Sequence, residues 1–425
     1  MGGTIQKVII MLEIKLSSTF LPVFKQYLQV VGGICDPRAN SIYSYILLNA
    51  IKEEQKILLD GFSGGLWLRV EMKTDVMESG KVALPAKTLK ELVSKLPNDQ
   101  TITLKNINES QINIGYSLEG TENKSAVYTI YSITDEGFPL IQANLENSIS
   151  IFGQDFAEAL KSVIYATPKK SSNSLPNTVL DTVNVSISDD KIELAASDGK
   201  RLAYAQISTE NNDNKTENEE KPENKETKLS VFNLPVKTAE FLQGVLAKVN
   251  PEKIQVKIES AQIYFFMEEK NNETKLTLIS DLFAGKYPEY KKLLPKNFTK
   301  KIILPKDETK SSLERILLFT GTSKAINLLI NEDLILKTYG EEERSGQEIV
   351  SLTTVQSTTD GPVKITINCE FLLQTVKAIK SPILEMGINQ PNNPILISES
   401  FPTEKKSNKT EYIKVSHIIM PIYTL

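Results

Sequence analysis

The feature that most limits what this chain can become is a motif written three times. An apolar strand end, a helix start and about three helical turns recur. They read ALPAKTLKELVSKLPNDQTITL (83–104), NLPVKTAEFLQGVLAKVNPEKIQVKI (233–258) and TINCEFLLQTVKAIKSPILEMGI (366–388). The first two share Leu-Pro-x-Lys-Thr. A second helical pattern opens each block: SSTFLPVFKQYLQVV (17–31), GQDFAEALKSVIYAT (153–167) and SSLERILLFTGTSK (311–324). Spacings this wide mark repeated domains, since a solenoid repeats every ~20–50 residues.

Between the helices, apolar and polar residues alternate. TITLKNINESQINIGYSL (101–118), TVNVSISDDKIELAAS (182–197), KIQVKIESAQIYFFMEE (253–269), INLLINEDLILKT (326–338) and QEIVSLTTVQST (347–358) all do so, each with a turn cluster. These predict antiparallel hairpins with one buried face. The expected fold is α+β, in three similar domains of antiparallel sheets with two helices each: 11–145, 146–297 and 298–425. The boundaries fall near EGFPLIQANLENS (136–148) and GKYPEYKKLLPKN (285–297), each with an aromatic-Pro step that favours extended backbone.

Composition excludes more than it assigns. His417 is the only histidine and sits in an apolar strand near the C-terminus, so a Ser-His-Asp triad would have to use it. A zinc site of the HExxH or Cys/His kind cannot be assembled. Cys35 and Cys369 stand far apart, which fits a reducing cytoplasm and no thiol metal site. Carboxylate-bound magnesium survives on composition alone, but no tight Asp/Glu cluster ends an apolar strand. No segment approaches the ~18 apolar residues of a membrane span, and the N-terminus lacks a secretory cleavage pattern. No cofactor or metal is expected.

The net charge is −4, yet it is unevenly spread. The run Thr209–Lys228 holds seven acids and four lysines with no apolar period, and is expected to be a disordered insert. Each of the six helical segments, by contrast, is net positive. Lys25 stands alone; Lys161, Lys169 and Lys170 oppose Asp155 and Glu158; Arg315 and Lys324 oppose Glu314. Lys87, Lys90 and Lys95 oppose Glu91; Lys237 and Lys248 oppose Glu240; Lys377 and Lys380 oppose Glu370. Lysine is a good helix former, so solvation explains any one of these helices. All six being basic on a net-acidic chain points to a shared surface facing a polyanion.

AASDGKRLAYA (195–205) reads as a hairpin turn. Its glycine, lysine and arginine hint at phosphate, but the GxxxxGK[ST] frame is absent.

The segments VALPAKTLKELVSKLP (82–97), SLPNTVLDTVNVSISDDKIELAASDGKRLA (174–203), GKYPEYKKLLPKN (285–297), INCEFLLQTVKAI (367–379), PILIS (394–398) and IIMPIYTL (418–425) occur in one order. In that order they resemble the bacterial DNA polymerase III beta subunit, the sliding clamp family, from about Met11 to Leu425. The resemblance implies the DNA clamp fold, closed into a ring as a head-to-tail homodimer with helices around the hole and sheets outside. It implies a cytoplasmic, non-catalytic processivity factor that encircles double-stranded DNA. Lys25, Lys87, Lys90, Lys95, Lys161, Lys169, Lys170, Lys237, Lys248, Arg315, Lys377 and Lys380 would then face DNA. Arg38, in CDPRANS, matches a basic loop of the family. Lysine suits sliding because it is a mobile point charge rather than a bidentate reader.

The same resemblance places a peptide-binding groove at Leu180, Ser197, Gly199, Lys200, Arg201 and Leu202. Pro288, Lys292 and Leu293 join from the linker, Asn368 and Phe371 from the last helix, and Met420, Pro421 and Ile422 from the final strand. The polymerase III catalytic subunit, the clamp loader and repair factors would dock short linear motifs there. Lys200 stands where many relatives carry an aromatic or histidine. The tail is one residue longer than the common ending, and residues 1–10 precede the usual start, so Met11 is the expected initiator. Competing readings are a carboxylate–metal enzyme on the same scaffold, a β-rich scaffold protein with no DNA role, and a clamp paralogue serving repair.

Overall fold

The computed structural model describes residues 12–36, 41–117, 125–139, 141, 143–169, 178–208, 230–269, 273–339, 344–358, 361–400 and 413–422. The acidic run 209–228, Arg38 and Lys170 lie outside them. The chain forms two compact units, residues 1–154 with 245–281, and residues 155–244 with 282–425.

The first unit holds two antiparallel sheets. One has five strands in the order β5 (Asp75–Glu78), β1 (Glu13–Leu16), β7 (Ile102–Asn108), β8 (Gln111–Ser117) and β9 (Ser125–Tyr131). The other has eight, in the order β10 (Ile149–Phe152), β15 (Lys253–Glu259), β16 (Gln262–Glu268), β17 (Thr274–Asp281), β4 (Leu66–Lys73), β3 (Lys56–Ser63), β2 (Tyr45–Ile51) and β6 (Gly80–Pro85). Helices α1 (Leu21–Ile34) and α2 (Ala86–Lys95) belong to this unit. The second unit holds a nine-stranded sheet and a four-stranded one. The nine run β14 (Ser230–Pro235), β11 (Thr182–Ile187), β12 (Lys191–Ser197), β13 (Arg201–Ser208), β26 (Ile413–Ile419), β25 (Ile395–Ser400), β24 (Ile383–Ile388), β18 (Lys300–Pro305) and β22 (Thr354–Ser357). The four run β21 (Gln347–Val350), β20 (Leu334–Thr338), β19 (Ala325–Ile330) and β23 (Val363–Asn368). Helices α5 (Lys306–Leu317) and α6 (Cys369–Ala378) lie in the second unit, while α3 (Gly153–Ile164) and α4 (Val236–Val249) each run across the division in sequence.

The period-2 segments behave as their pattern requires. Along β16, Ile263, Phe265 and Met267 are buried while the residues between them are not. Four of the five expected hairpins form, as β7–β8, β11–β12, β15–β16 and β19–β20. The fifth, 347–358, does not. Its halves separate, β21 joining β20 and β22 joining β18. Thr353 N–H bonds to Ile303 O at 2.9 Å and steers the chain onto the other sheet.

The helices follow from apolar spacing and from proline. On α2, Ala86, Leu89 and Val93 are buried, and on α6 Cys369, Leu372, Leu373 and Val376 are; both patterns are single helical stripes. Pro85, Pro235 and Pro305 close a strand and lead directly into α2, α4 and α5. A missing N–H costs nothing at a helix start, where that donor has no intrahelical partner. This junction corrects the third opening helix, which spans Lys306–Leu317 rather than 311–324. The first likewise runs Leu21–Ile34 rather than 17–31, with proline in its first turn.

Candidate peptide groove and basic helix faces

The SDGKR segment is the turn of the β12–β13 hairpin, with Ser197 paired to Leu202. Its polar atoms are spent on the turn itself. Asp198 Oδ1 accepts from the N–H groups of Lys200 and Arg201, both at 3.0 Å. Ser197 Oγ accepts from Gly199 N–H at 3.1 Å and donates to Arg201 O at 2.7 Å. Gly199 has φ +83°, a conformation other residues adopt only at a cost. Lys200 O accepts from Met420 N–H at 2.9 Å, so the chain end docks on the turn. Lys200 itself points to solvent.

Behind this turn an apolar floor assembles. Leu202 packs with Ala195, Tyr287, Tyr290 and Ile418, and Val179, Leu180, Tyr204, Leu294, Leu396 and Met420 lie against them. Of the expected groove residues, Leu180, Leu202 and Met420 are thus brought together. The aromatic pair Tyr287–Tyr290, with ring centres 6.1 Å apart, was not anticipated. From this segment the family resemblance supplies Pro288, Lys292 and Leu293 but not the two tyrosines, which carry no periodic signal. Pro288 and Lys292 are exposed beside them, with Lys292 paired to Glu289. Leu293 is 52% exposed.

Arg201 departs from a groove-facing role. It is 3% exposed. Its Nε donates to Asp198 Oδ2 at 3.0 Å, Nη1 to Gln374 Oε1 at 2.5 Å and Nη2 to Tyr165 O at 2.8 Å. Its guanidinium carbon lies 4.4 Å from the Phe371 ring centre and 5.1 Å from that of Tyr165. It therefore ties the turn to α6 and to the residue just beyond α3. Asn368 caps α6 by accepting from Phe371 N–H at 3.1 Å, which sets Phe371 on the guanidinium. Pro421 is buried, and Ile422 N–H donates to Thr366 O at 2.8 Å.

His417 lies on β26, fully buried, its Nδ1 2.9 Å from the Tyr165 hydroxyl. Its Nε2 has no partner among the described residues. Burial alone pushes the imidazole down to about 3, so it is neutral at any ordinary pH.

The cations on and beside the helices differ in their partners. Lys87, Lys95, Lys161 and Lys248 are exposed and form no ion pair with another described residue. Lys237 is half-buried near Glu240, whose carboxyl is pushed up by burial with Lys237 only partly opposing the rise. Lys25 and Lys90 instead bind backbone: Lys25 Nζ reaches Leu96 O at 2.5 Å and Lys90 Nζ reaches Gly32 O at 2.8 Å. Arg315 is bidentate to Glu348 at 2.8 and 2.7 Å, Lys377 pairs with Glu314 at 2.8 Å, and Lys380 pairs with Glu158. Lys169 and Lys324 both bind Glu370 and together hold its carboxyl down to about 2. Among the described residues no His/Cys/Asp/Glu group of three is placed to hold a metal, and no helix is long and apolar enough to cross a membrane.

Two family models match the chain: the DNA polymerase III beta subunit N-terminal domain over residues 23–142, and its C-terminal domain over residues 291–421. The chain belongs to the DNA polymerase III beta subunit family. A beta sliding clamp of Synechococcus elongatus is 26% identical over 405 residues, covering 93% of this chain and 96% of that one. One from Rickettsia felis is 25% identical over 393 residues, covering 90% and 94%. Among solved structures, the Thermotoga maritima beta subunit superposes with TM-score 0.76 at 18% identity, covering 97% of this chain and all of that one. The Bartonella birtlesii sliding clamp, solved bound to griselimycin, gives 0.78 at 17% identity with the same coverage. These likenesses establish the family's fold for this chain.

Proposed function

We propose that two copies of this chain close head to tail into a ring around duplex DNA and tether the replicative polymerase to it. The ring is a non-catalytic, cytoplasmic accessory. Each chain contributes three domains, 11–145, 146–297 and 298–425. The observation that carries this reading is the assembled apolar floor around Leu202 and Met420, with accessible apolar residues at its margin, in a member of this family. Partner motifs dock there through apolar anchors. Griselimycin, bound by the Bartonella relative, is expected to bind there too. Lys87, Lys95, Lys161 and Lys248 supply diffuse attraction to phosphates, weak enough to allow sliding.

Two sheet edges suit the ring joint. Among the described residues β9 is an edge strand, with Tyr131 73% exposed and Val127 also exposed. Among the described residues β21 is likewise an edge strand, with Ile349 exposed, and Leu318, 74% exposed, follows α5 with Phe319. Exposed apolar edges are hazards unless covered. One edge lies in each unit, and a head-to-tail joint needs two different surfaces. Tyr131→Lys with Leu318→Lys is expected to halve the native mass.

The deciding experiment is topological. Protein placed on nicked circular DNA by the cognate loader is expected to survive a high-salt wash and to be released once the circle is linearised. Equal loss from both forms would overturn the ring.

A further inference from the structure

One wall of the proposed groove belongs to neither sheet. In the linker between β17 and β18 the one regular element among the described residues is a short 3-10 turn, Tyr290–Leu293. The bonds that close the turn are long, Lys292 N–H to Glu289 O at 3.3 Å and Leu294 N–H to Lys291 O at 3.4 Å, and the shorter one, Tyr290 N–H to Pro288 O at 2.7 Å, spans only two residues. Side chains must therefore hold it. Asn233 Nδ2 holds the start of the linker at Gly285 O, 2.8 Å away. On the turn itself, besides the two tyrosines, a tie is Lys291 Nζ, 2.6 Å from Glu193 Oε2 on β12.

Glu193 is an odd residue at its position. It is 4% exposed, within a strand whose neighbours Ile192 and Leu194 are fully buried. A buried carboxylate costs stability unless it is paired and hydrogen-bonded. Here both oxygens are committed. Oε1 accepts from the Tyr204 hydroxyl at 2.6 Å and lies 3.3 Å from Lys191 Nζ, while Oε2 takes Lys291. The Tyr204 ring in turn packs 6.0 Å from Tyr290. Burial works against ionisation of Glu193, yet Lys291 and Tyr204 outweigh it and hold the carboxyl below the usual range.

We infer that Glu193 is a positioning residue for the groove: through Lys291 and Tyr204 it latches the linker, and so fixes the wall that Pro288, Lys292 and Leu293 supply. Glu193 touches no ligand itself. The inference rests on the groove reading above, and preorganisation is its physical content.

The test uses the full chain with Glu193→Gln, Lys291→Met and the double variant. Without ligand, hydrogen exchange at the Lys292 and Leu294 amides is expected to quicken about tenfold in both single variants, with the β12–β13 amides unchanged. Griselimycin affinity is expected to fall about five- to tenfold in each, with the double variant no worse than either. Lys291→Met strips the buried Glu193 carboxylate of its cation and is expected to lower the melting temperature as well. The double variant buries no unpaired carboxylate and is expected to recover the melting temperature while the binding loss persists, which a merely structural Glu193 would not give. Unchanged linker exchange, unchanged affinity in the single variants, or additive losses would each overturn the latch. If wild-type protein fails to bind griselimycin, the groove reading falls, while linker exchange still decides the latch.

Discussion

Arg201 and Lys87 carry the same charge in opposite settings. Arg201 is buried, with three hydrogen-bond acceptors and two aromatic faces around its guanidinium. Lys87 is exposed on α2 with no ion-pair partner among the described residues. Arg201 is a fixed strut beside the apolar cluster of the proposed groove. Lys87 stands on a loose, solvated stem, the setting proposed to attract a polyanion without fixing it. The difference teaches that a cation's burial and partners, not its presence, decide which job it does.

The largest effect tests the strut. Arg201→Ala leaves Asp198 unpaired and frees Phe371 and Gln374, and is expected to cost about 3–5 kcal/mol in the second unit. Arg201→Lys keeps the charge but loses the fork, and should fall between the two. Denaturant unfolding followed by circular dichroism checks both. A cost below about 1 kcal/mol for the alanine variant would make Arg201 a surface cation like the rest.

Next comes the floor itself. Leu202→Ala with Met420→Ala removes two apolar contacts. At about 1.5–3 kcal/mol each, that weakens griselimycin binding by roughly 100-fold or more. Retained affinity would move the groove elsewhere.

How far this comparison could be read from the sequence depends on range. Strands announced themselves by alternation, and α2, α4 and α6 by their apolar stripes, because both signals lie within a few residues. The 347–358 pair misled because alternation says nothing about which sheet a strand joins. The groove's members come from five separate segments and were placed only through family resemblance; Tyr287 and Tyr290 escaped for want of any local pattern. The reading of six basic helices fails on two counts. Within the observed bounds α3 is net negative, with Asp155 and Glu158 against Lys161, and α5 and α6 are neutral. The pairing of the remaining cations is also invisible in sequence. Glu348 reaches Arg315 from β21, and Glu158 reaches Lys380 from α3. Such pairing is tertiary and leaves no mark on a charge count.

A middle-sized effect comes from His417, which belongs to the buried side of the comparison without carrying a charge. Its folded pKa of about 3 lies below the ordinary 6.5. Between those values the unfolded chain binds the proton and the folded chain does not, so stability falls as pH falls. The expected loss is about 1.4 kcal/mol per pH unit below about 6.5. The lowered carboxylates, such as Glu370, contribute only in the more acid range below 4.5. His417→Gln is expected to flatten the slope between about pH 6.5 and about pH 5, as read by denaturant midpoints. An unchanged slope would mean that the ring titrates in place.

The smallest effect separates lysines from lysines. Lys87→Gln with Lys95→Gln removes two exposed, unpaired charges, whereas Lys377→Gln with Lys380→Gln removes two already answered by Glu314 and Glu158. Each phosphate contact contributes about 0.9 to the slope of log affinity against log salt. The α2 pair is therefore expected to reduce that slope by nearly ~2, and the α6 pair by less than half as much. Titration of duplex DNA across salt concentrations reads both. Equal reductions would show that DNA displaces the acidic partners at little cost, and that the number of lysines, rather than their pairing, sets the attraction.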